Sequence, residues 1–273
     1  MSDLVSIRID DGVADVRLNR PEKYNALSPE MFDAIIRAGE SLATDPSVRA
    51  VVLSGNGRGF CAGLDFSSFQ GMSDGSRASA PQGEAPQAQD PDRPENRAQR
   101  PACVWKRLPV PVIVALHGVA FGGGLQVALG GDIRFATADA KLSVMEIKWG
   151  LVPDMSLTQT LRELVPLDVA KELTFTGRVL RGQEACDLGL VTRVCEDPLA
   201  EALALAREIA GKSPDAIRAG KHLLETSWRA DEATGLALEA SLQGGLIGSP
   251  NQLEAVRANF EERAPRFTDP SIR

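Results

Sequence analysis

Two glycine-centred segments hold the backbone groups best placed to do chemistry. Phe60-Cys61-Ala62-Gly63-Leu64-Asp65 follows a strand and a loop, and Gly122-Gly123-Gly124 follows a second strand and opens a helix. Glycine leaves backbone N–H groups uncovered and lets a ligand approach closely, and a helix N-terminus favours negative charge. Two such turns facing one another would aim two donors at one oxygen, which is how an oxyanion hole is built. A triple glycine also permits close helix packing, and for either cluster taken singly spacing alone favours that plainer reading. Neither cluster is a nucleotide fingerprint: no GxGxxG register fits Gly118 to Gly131, and no GxxxxGK occurs.

Other chemistries are excluded by counting. The chain has 273 residues and two histidines, His117 and His222. A multi-His metal site is impossible, and a Ser-His-Asp triad would have to use one of those two. Cys61, Cys103, Cys186 and Cys195 form no CxxC pair, so no zinc ribbon or thioredoxin motif is expected, and four free thiols suit a reducing cytoplasm. Thirty Lys+Arg against 37 Asp+Glu give a net charge of −7, which argues against a general nucleic-acid binder. The first residues, MSDLVSIRIDDG, lack a basic segment followed by an apolar one, so no signal peptide is expected. Leu108 to Gly131 carries no formal charge, but Pro109, Pro111 and six glycines break it. It reads as a buried strand, a turn and a short buried helix rather than a membrane span.

The elements that must position the two turns are legible. Residues 4–9 and 13–19 alternate around Asp10-Asp11-Gly12, a hairpin signal. Ser28-Pro29-Glu30 starts a helix, Met31, Ile35 and Leu42 keep helical spacing, and Asp45-Pro46 ends it. Strands are expected at 49–53, 111–116 and 132–136, a helix near 96–107, and mainly helix after residue 156 with one short strand near 190–194. Residues 71–95 hold four prolines and almost no large apolar residue, the composition of an exposed mobile loop. Strands alternating with helices, then a run of helices, indicate an α/β fold with a helical C-terminal part.

Three ordered motifs carry a family resemblance: Asn19-Arg20-Pro21-Glu22-Lys23-Tyr24-Asn25-Ala26-Leu27, then Phe60 to Asp65, then His117-Gly-Val-Ala-Phe-Gly-Gly-Gly-Leu125. With Ala136 to Gly150 and Phe175-Thr-Gly177 … Ala185 … Gly189-Leu-Val191, the sequence resembles the crotonase (enoyl-CoA hydratase/isomerase) superfamily over most of its length. The resemblance implies a spiral of ββα turns as a core over 1–200, with 71–95 as an insertion, and a C-terminal helical trimerisation region over 201–273. It implies an acyl-CoA substrate, coenzyme A arriving as part of that substrate with no separate cofactor or metal, and a homotrimer or hexamer with no nucleic-acid or membrane partner.

It also implies roles. The N–H groups of Leu64 and Gly123 would hold a thioester enolate. Lys23, Ala26 and Leu27, with Ala62, Gly63, Leu64, Asp65 and Phe66 and with Gly122 and Gly123, would contact the CoA portion. Hydratases of this family use two glutamates. Here the first position is Gln126, which can hold water but cannot accept its proton; the second is Glu146. Asp154 stands where dienoyl-CoA isomerases carry an acid. An acid there also resembles the nucleophilic aspartate of the aromatic dehalogenase branch, but Glu146 and Asp154 together favour proton shuttling over nucleophilic attack, and so double-bond isomerisation; hydration by Glu146 and a bound water is the alternative, and a non-catalytic CoA- or RNA-binding scaffold is the third reading. Plainer roles stand beside these. Glu146 could pair with Lys148 or Arg162, Asp154 could cap the following helix, and Gln126 could satisfy a backbone group. His117 reads as a turn residue, Cys61 as core filler, Trp105 and Trp149 as core or acyl pocket, and Lys221 as a CoA-phosphate contact or a solvated residue.

Overall fold

A computed structural model describes residues 4–65 and 94–270. Phe66 and residues 71–93 of the expected loop lie outside the described residues.

The expected hairpin is present. Strands β1 (Val5–Asp10) and β2 (Val13–Leu18) pair antiparallel around Asp11-Gly12, and Gly12 takes φ +79°. The helix Pro29–Ala43 begins as expected, with Ser28 Oγ accepting from Met31 N. Its apolar face, including Met31, Ile35 and Leu42, is buried. It carries the chain to β3 (Ala50–Gly55), which lies parallel to β2. Parallel neighbours need such a crossover. The helix Arg100–Lys106 leads in the same way to β4 (Val112–Leu116), and the helix Gly123–Leu129 leads to β6 (Ile133–Ala136). With β9 (Arg193–Val194) they complete a sheet of order β1-β2-β3-β4-β6-β9.

A second layer runs beside the first. β5 (Val119–Phe121), β7 (Lys141–Ser143) and β8 (Leu180–Arg181) form a three-stranded sheet of order β5-β7-β8. Single bridges Cys61↔Ala120 and Leu27↔Leu64 extend the layer. Each turn of the chain therefore adds a strand to the large sheet, a strand or bridge to the small layer, and then a helix. This is the ββα spiral of the crotonase fold.

The parallel strands β2, β3, β4 and β6 are buried on both faces, as parallel strands are, while the antiparallel edge strand β1 is largely exposed. Val51, Leu53, Val112 and Val114 face one core with Trp105 and Leu125. Ala50, Val52, Ile113, Ala115 and Phe135 face another with Ala202, Ala206 and Ala210. Those alanines belong to the helix Pro198–Ala210, so the expected boundary at residue 200 falls inside a helix that covers the sheet. The helices Pro214–Ser227, Glu232–Leu246 and Pro250–Phe260 follow. Among the described residues no helix is long and apolar enough to cross a membrane, and no group of His, Cys, Asp or Glu has the arrangement of a metal site.

Candidate functional site

The two bridges bring the two glycine turns together. Cys61 N donates to Val119 O (2.9 Å), and Phe121 N donates to Cys61 O (3.0 Å). Leu27 N donates to Gly63 O (2.8 Å), and Asp65 N to Leu27 O (3.1 Å). The motif of residues 60–65 is thus pinned between the 23–27 segment and β5. Gly63 takes φ +86°, and a Cβ added there would lie 2.6 Å from Phe121 O and 3.8 Å from Gly123 N. Such a Cβ would force the two turns apart. Gly122 takes φ +50°, and Gly123 begins the next helix. The space over Gly123 is closed by Met155 Sδ and Leu27 Cδ1, at 2.7 and 3.0 Å from a hypothetical Cβ. Among the described residues, neither Leu64 N–H nor Gly123 N–H has a hydrogen-bond acceptor.

A buried scaffold holds the first turn. Asn25 is fully buried with φ +55°. Its Nδ2 donates to the carbonyls of Asn56, Gly59 and Phe60, each at 3.0 Å, and its Oδ1 accepts from Arg20 N. Arg20 in turn pairs with buried Asp65 and reaches Ala26 O. Ala26 and Leu27 are buried, Ala62 is half-buried, and Lys23 ends an exposed 3-10 turn (Pro21–Lys23).

Glu146 sits beside the second turn. It opens the 3-10 turn Glu146–Trp149, and a Cβ on Gly122 would lie 3.2 Å from its Oε1. Gln126 lies on the helix Gly123–Leu129, three residues after Gly123, and is buried. Its Nε2 donates to Glu146 Oε1 (2.6 Å), while its Oε1 accepts from Met155 N (2.8 Å). Glu146 Oε2 is buried and makes no hydrogen bond. Burial pushes the Glu146 carboxyl above the usual carboxylate range; its own backbone amide and then the Gln126 amide oppose this, the nearby charge of Asp154 adds to the rise, and the Met145 amide opposes it slightly. Glu146 makes no ion pair with Lys148 or Arg162; Arg162 lies near Glu163 instead.

Asp154 opens onto a cavity of about 1160 Å³, whose wall also includes Cys103, Leu108, Pro153 and Leu157. Partial burial pushes its carboxyl upward. It does not cap the next helix: that helix is Leu157–Thr160, and its N-cap is Ser156 with φ +70°. Among the catalytic expectations the structure therefore brings together Leu64, Gly123, Gln126 and Glu146, with Asp154 close enough to act on Glu146 electrostatically.

Several plainer readings are decided. His117 is a turn residue whose Nε2 contacts Gly57 O (2.9 Å). Cys61 is core filler: burial pushes its thiol up to about 12. Trp105 is fully buried in the core, whereas Trp149 is exposed. Lys221 is not a solvated residue. It turns inward, and its Nζ donates to Val110 O (3.0 Å) and Asp132 Oδ2 (2.7 Å). Gln126 does satisfy a backbone group, Met155 N; sequence reasoning missed the Asn25 hub. Asn25 had a signal, since a non-glycine residue in the left-handed region is enriched in Asn.

An α/β spiral whose two glycine turns leave two unshared N–H groups beside a desolvated carboxylate defines a crotonase-fold protein. Comparison with known proteins agrees. Residues 8–270 match the model of the family described as enoyl-CoA hydratase/isomerase. Methylglutaconyl-CoA hydratase, mitochondrial, of Mus musculus is 34% identical over 94% of this chain and 79% of its own. Delta(3,5)-Delta(2,4)-dienoyl-CoA isomerase, peroxisomal, of Arabidopsis thaliana is 32% identical over 97% of this chain and 96% of its own. The crystal structure of an enoyl-CoA hydratase from Bacillus anthracis superposes with a TM-score of 0.85 at 29% identity, covering 97% of this chain and 98% of the other. The chain belongs to the enoyl-CoA hydratase/isomerase family, whose members act on acyl-CoA substrates.

Proposed function

We propose that this protein is a double-bond isomerase of enoyl- or dienoyl-CoA thioesters, working through an enolate. The observation that carries the reading is the pairing of a desolvated Glu146, beside the Gly122-Gly123 turn, with a second acid, Asp154, whose charge acts on it. The thioester carbonyl lies between Leu64 N–H and Gly123 N–H. Glu146 takes a proton from the acyl chain, and the C–H electron pair moves through the conjugated system onto the carbonyl oxygen. The two N–H groups stabilise the charge that forms there. Protonated Asp154 then gives its proton to a different carbon of the chain, and the carbonyl re-forms. Atoms balance: one proton leaves, one enters, and a single proton passed from Glu146 back to Asp154 resets the pair. Burial holds both carboxyls above the usual carboxylate range, which eases the return of each to its protonated form.

Hydration is the second reading. It is weakened because Gln126 stands in place of an acid and its amide is already engaged with Glu146 and Met155. The CoA portion would be held by Lys23, Ala26, Leu27, Ala62, Gly63, Asp65 and Phe66. Assembly into a trimer or hexamer is supported by apolar residues exposed on the C-terminal helices, among them Trp228, Leu236 and Phe260; light scattering after gel filtration tests it.

Mass spectrometry of enoyl- and dienoyl-CoAs incubated with the protein in D2O tests the reaction. Isomerisation gives a product of unchanged composition, apart from deuterium, with a moved double bond. Addition of one heavy water to the substrate instead would establish hydration and remove Asp154 from the chemistry.

A further inference from the structure

The geometry points to Gln126 as a positioning residue: its amide bridge between Glu146 Oε1 and Met155 N makes the two oxygens of Glu146 inequivalent and leaves Oε2 as the atom that carries the proton. The inference rests on the isomerase reading for what the proton does, but not for the bridge itself.

Gln126 Nε2 occupies Oε1 at 2.6 Å. Oε1 is also the carboxylate atom nearest the Gly122 backbone: a Cβ there would lie 3.2 Å from Oε1 but 4.0 Å from Oε2. The amide cannot turn over, because its oxygen already accepts from Met155 N at 2.8 Å. A flipped amide would set the Gln126 oxygen against the carboxylate and its NH2 against the Met155 N–H. The carboxylate is therefore held in one orientation, and Oε2 is shielded from water and makes no hydrogen bond among the described residues, although the backbone N–H groups of Glu146 and Met145 act on the carboxyl. An unpartnered carboxylate oxygen in a desolvated pocket is the stronger proton acceptor of the two. The same bridge reaches the peptide that follows Asp154, so a single side chain sets where both acids stand.

Glutamate at this position could accept from Met155 N, but it would bring a like charge against Oε1. Methionine would match the length of Gln126 and make neither bond. The two variants separate the bridge from mere filling of space.

The test is a carboxyl-carbon NMR titration of the ligand-free protein labelled in glutamate, with the Glu146 signal assigned by its loss in E146Q. A hydrogen bond to a charged group is worth about 1.5–3 kcal/mol, so Q126M is expected to raise the Glu146 midpoint by roughly one to two pH units. Q126E, which keeps Met155 N satisfied, is expected to raise it as well, through like-charge repulsion. On a turned-over substrate, Q126M moves the acid limb of the kcat/KM profile by the same amount, lowers kcat about tenfold or more and leaves KM within roughly twofold. An unmoved midpoint in both variants overturns the bridge whatever the reaction is. A moved midpoint with no turnover of any acyl-CoA by the wild type keeps the bridge and overturns the isomerase reading.

Discussion

Gln126 Nε2 donates to Glu146 Oε1 at 2.6 Å across twenty residues of sequence. The contact joins a helix that begins at an oxyanion-type turn to a 3-10 turn from the next spiral repeat. On the proposed mechanism, Glu146 is the acid on which activity depends.

Glu146→Gln is expected to remove turnover by about 10²–10⁴-fold, with acyl-CoA binding retained when measured by calorimetry. The same change is expected to raise the melting temperature at neutral pH. The fold holds the Glu146 pKa above its unfolded value, so its contribution to stability is full below the usual carboxylate range and is lost as pH rises through the raised value. The variant escapes that loss. Its advantage therefore appears at pH 7 and vanishes near pH 4, which calorimetric scans at both values will read.

Asp154→Asn separates the two reactions. Under the isomerase reading it lowers isomerisation by about tenfold to a hundredfold, because reprotonation of the enolate loses its acid. Any residual hydration is spared. Product analysis of the variant in D2O reads both at once.

Gly63→Ala disturbs the first donor without touching either acid. A Cβ there meets Phe121 O at 2.6 Å, at φ +86°. The Leu64 N–H is displaced, and kcat is expected to fall about 10²–10³-fold, the loss that follows removal of one oxyanion donor. The acid limb of the pH profile stays where it is, which distinguishes this loss from that of Q126M.

Lys221→Met tests a structural role. Its ammonium is nearly buried against Asp132. Burial already pushes Asp132 upward, and Lys221 opposes that rise. Removing one partner of such a pair is expected to cost about 3 kcal/mol in urea denaturation, with part regained on adding Asp132→Asn. KM for an acyl-CoA should stay within about twofold in the single variant, since the Lys221 ammonium is already engaged by Val110 O and Asp132.

The sequence made plain those parts whose signals are local. The hairpin at Asp11-Gly12 and the helix after Ser28-Pro29 follow from turn chemistry and capping, and both appear where expected. The glycine turns could be placed, but not their meeting. That depends on single bridges such as Cys61↔Ala120, which leave no periodicity to read. The small sheet was missed for the same reason: β7 and β8 are three and two residues long. Lys221 was misread because an amphipathic helix pattern does not show that a lysine stem can turn inward to a carboxylate on a distant loop. The capping reading of Asp154 failed because the following helix starts later, at a Ser156 whose left-handed backbone no residue pattern announced.

The Lys221–Asp132 pair sits at the entry end of two central strands. Asp132 Oδ2 also accepts from Val112 N, the first residue of β4, and Lys221 reaches Val110 O just before it. The glycine turn lies past the opposite end of the same strand, beyond Leu116. The helix Pro214–Ser227 is moored by Lys221 to the start of β4, and Lys221 also lines the cavity onto which Asp154 opens. Sequence change in the mooring can therefore alter both how firmly this helix attaches and the shape of the cavity beside Asp154.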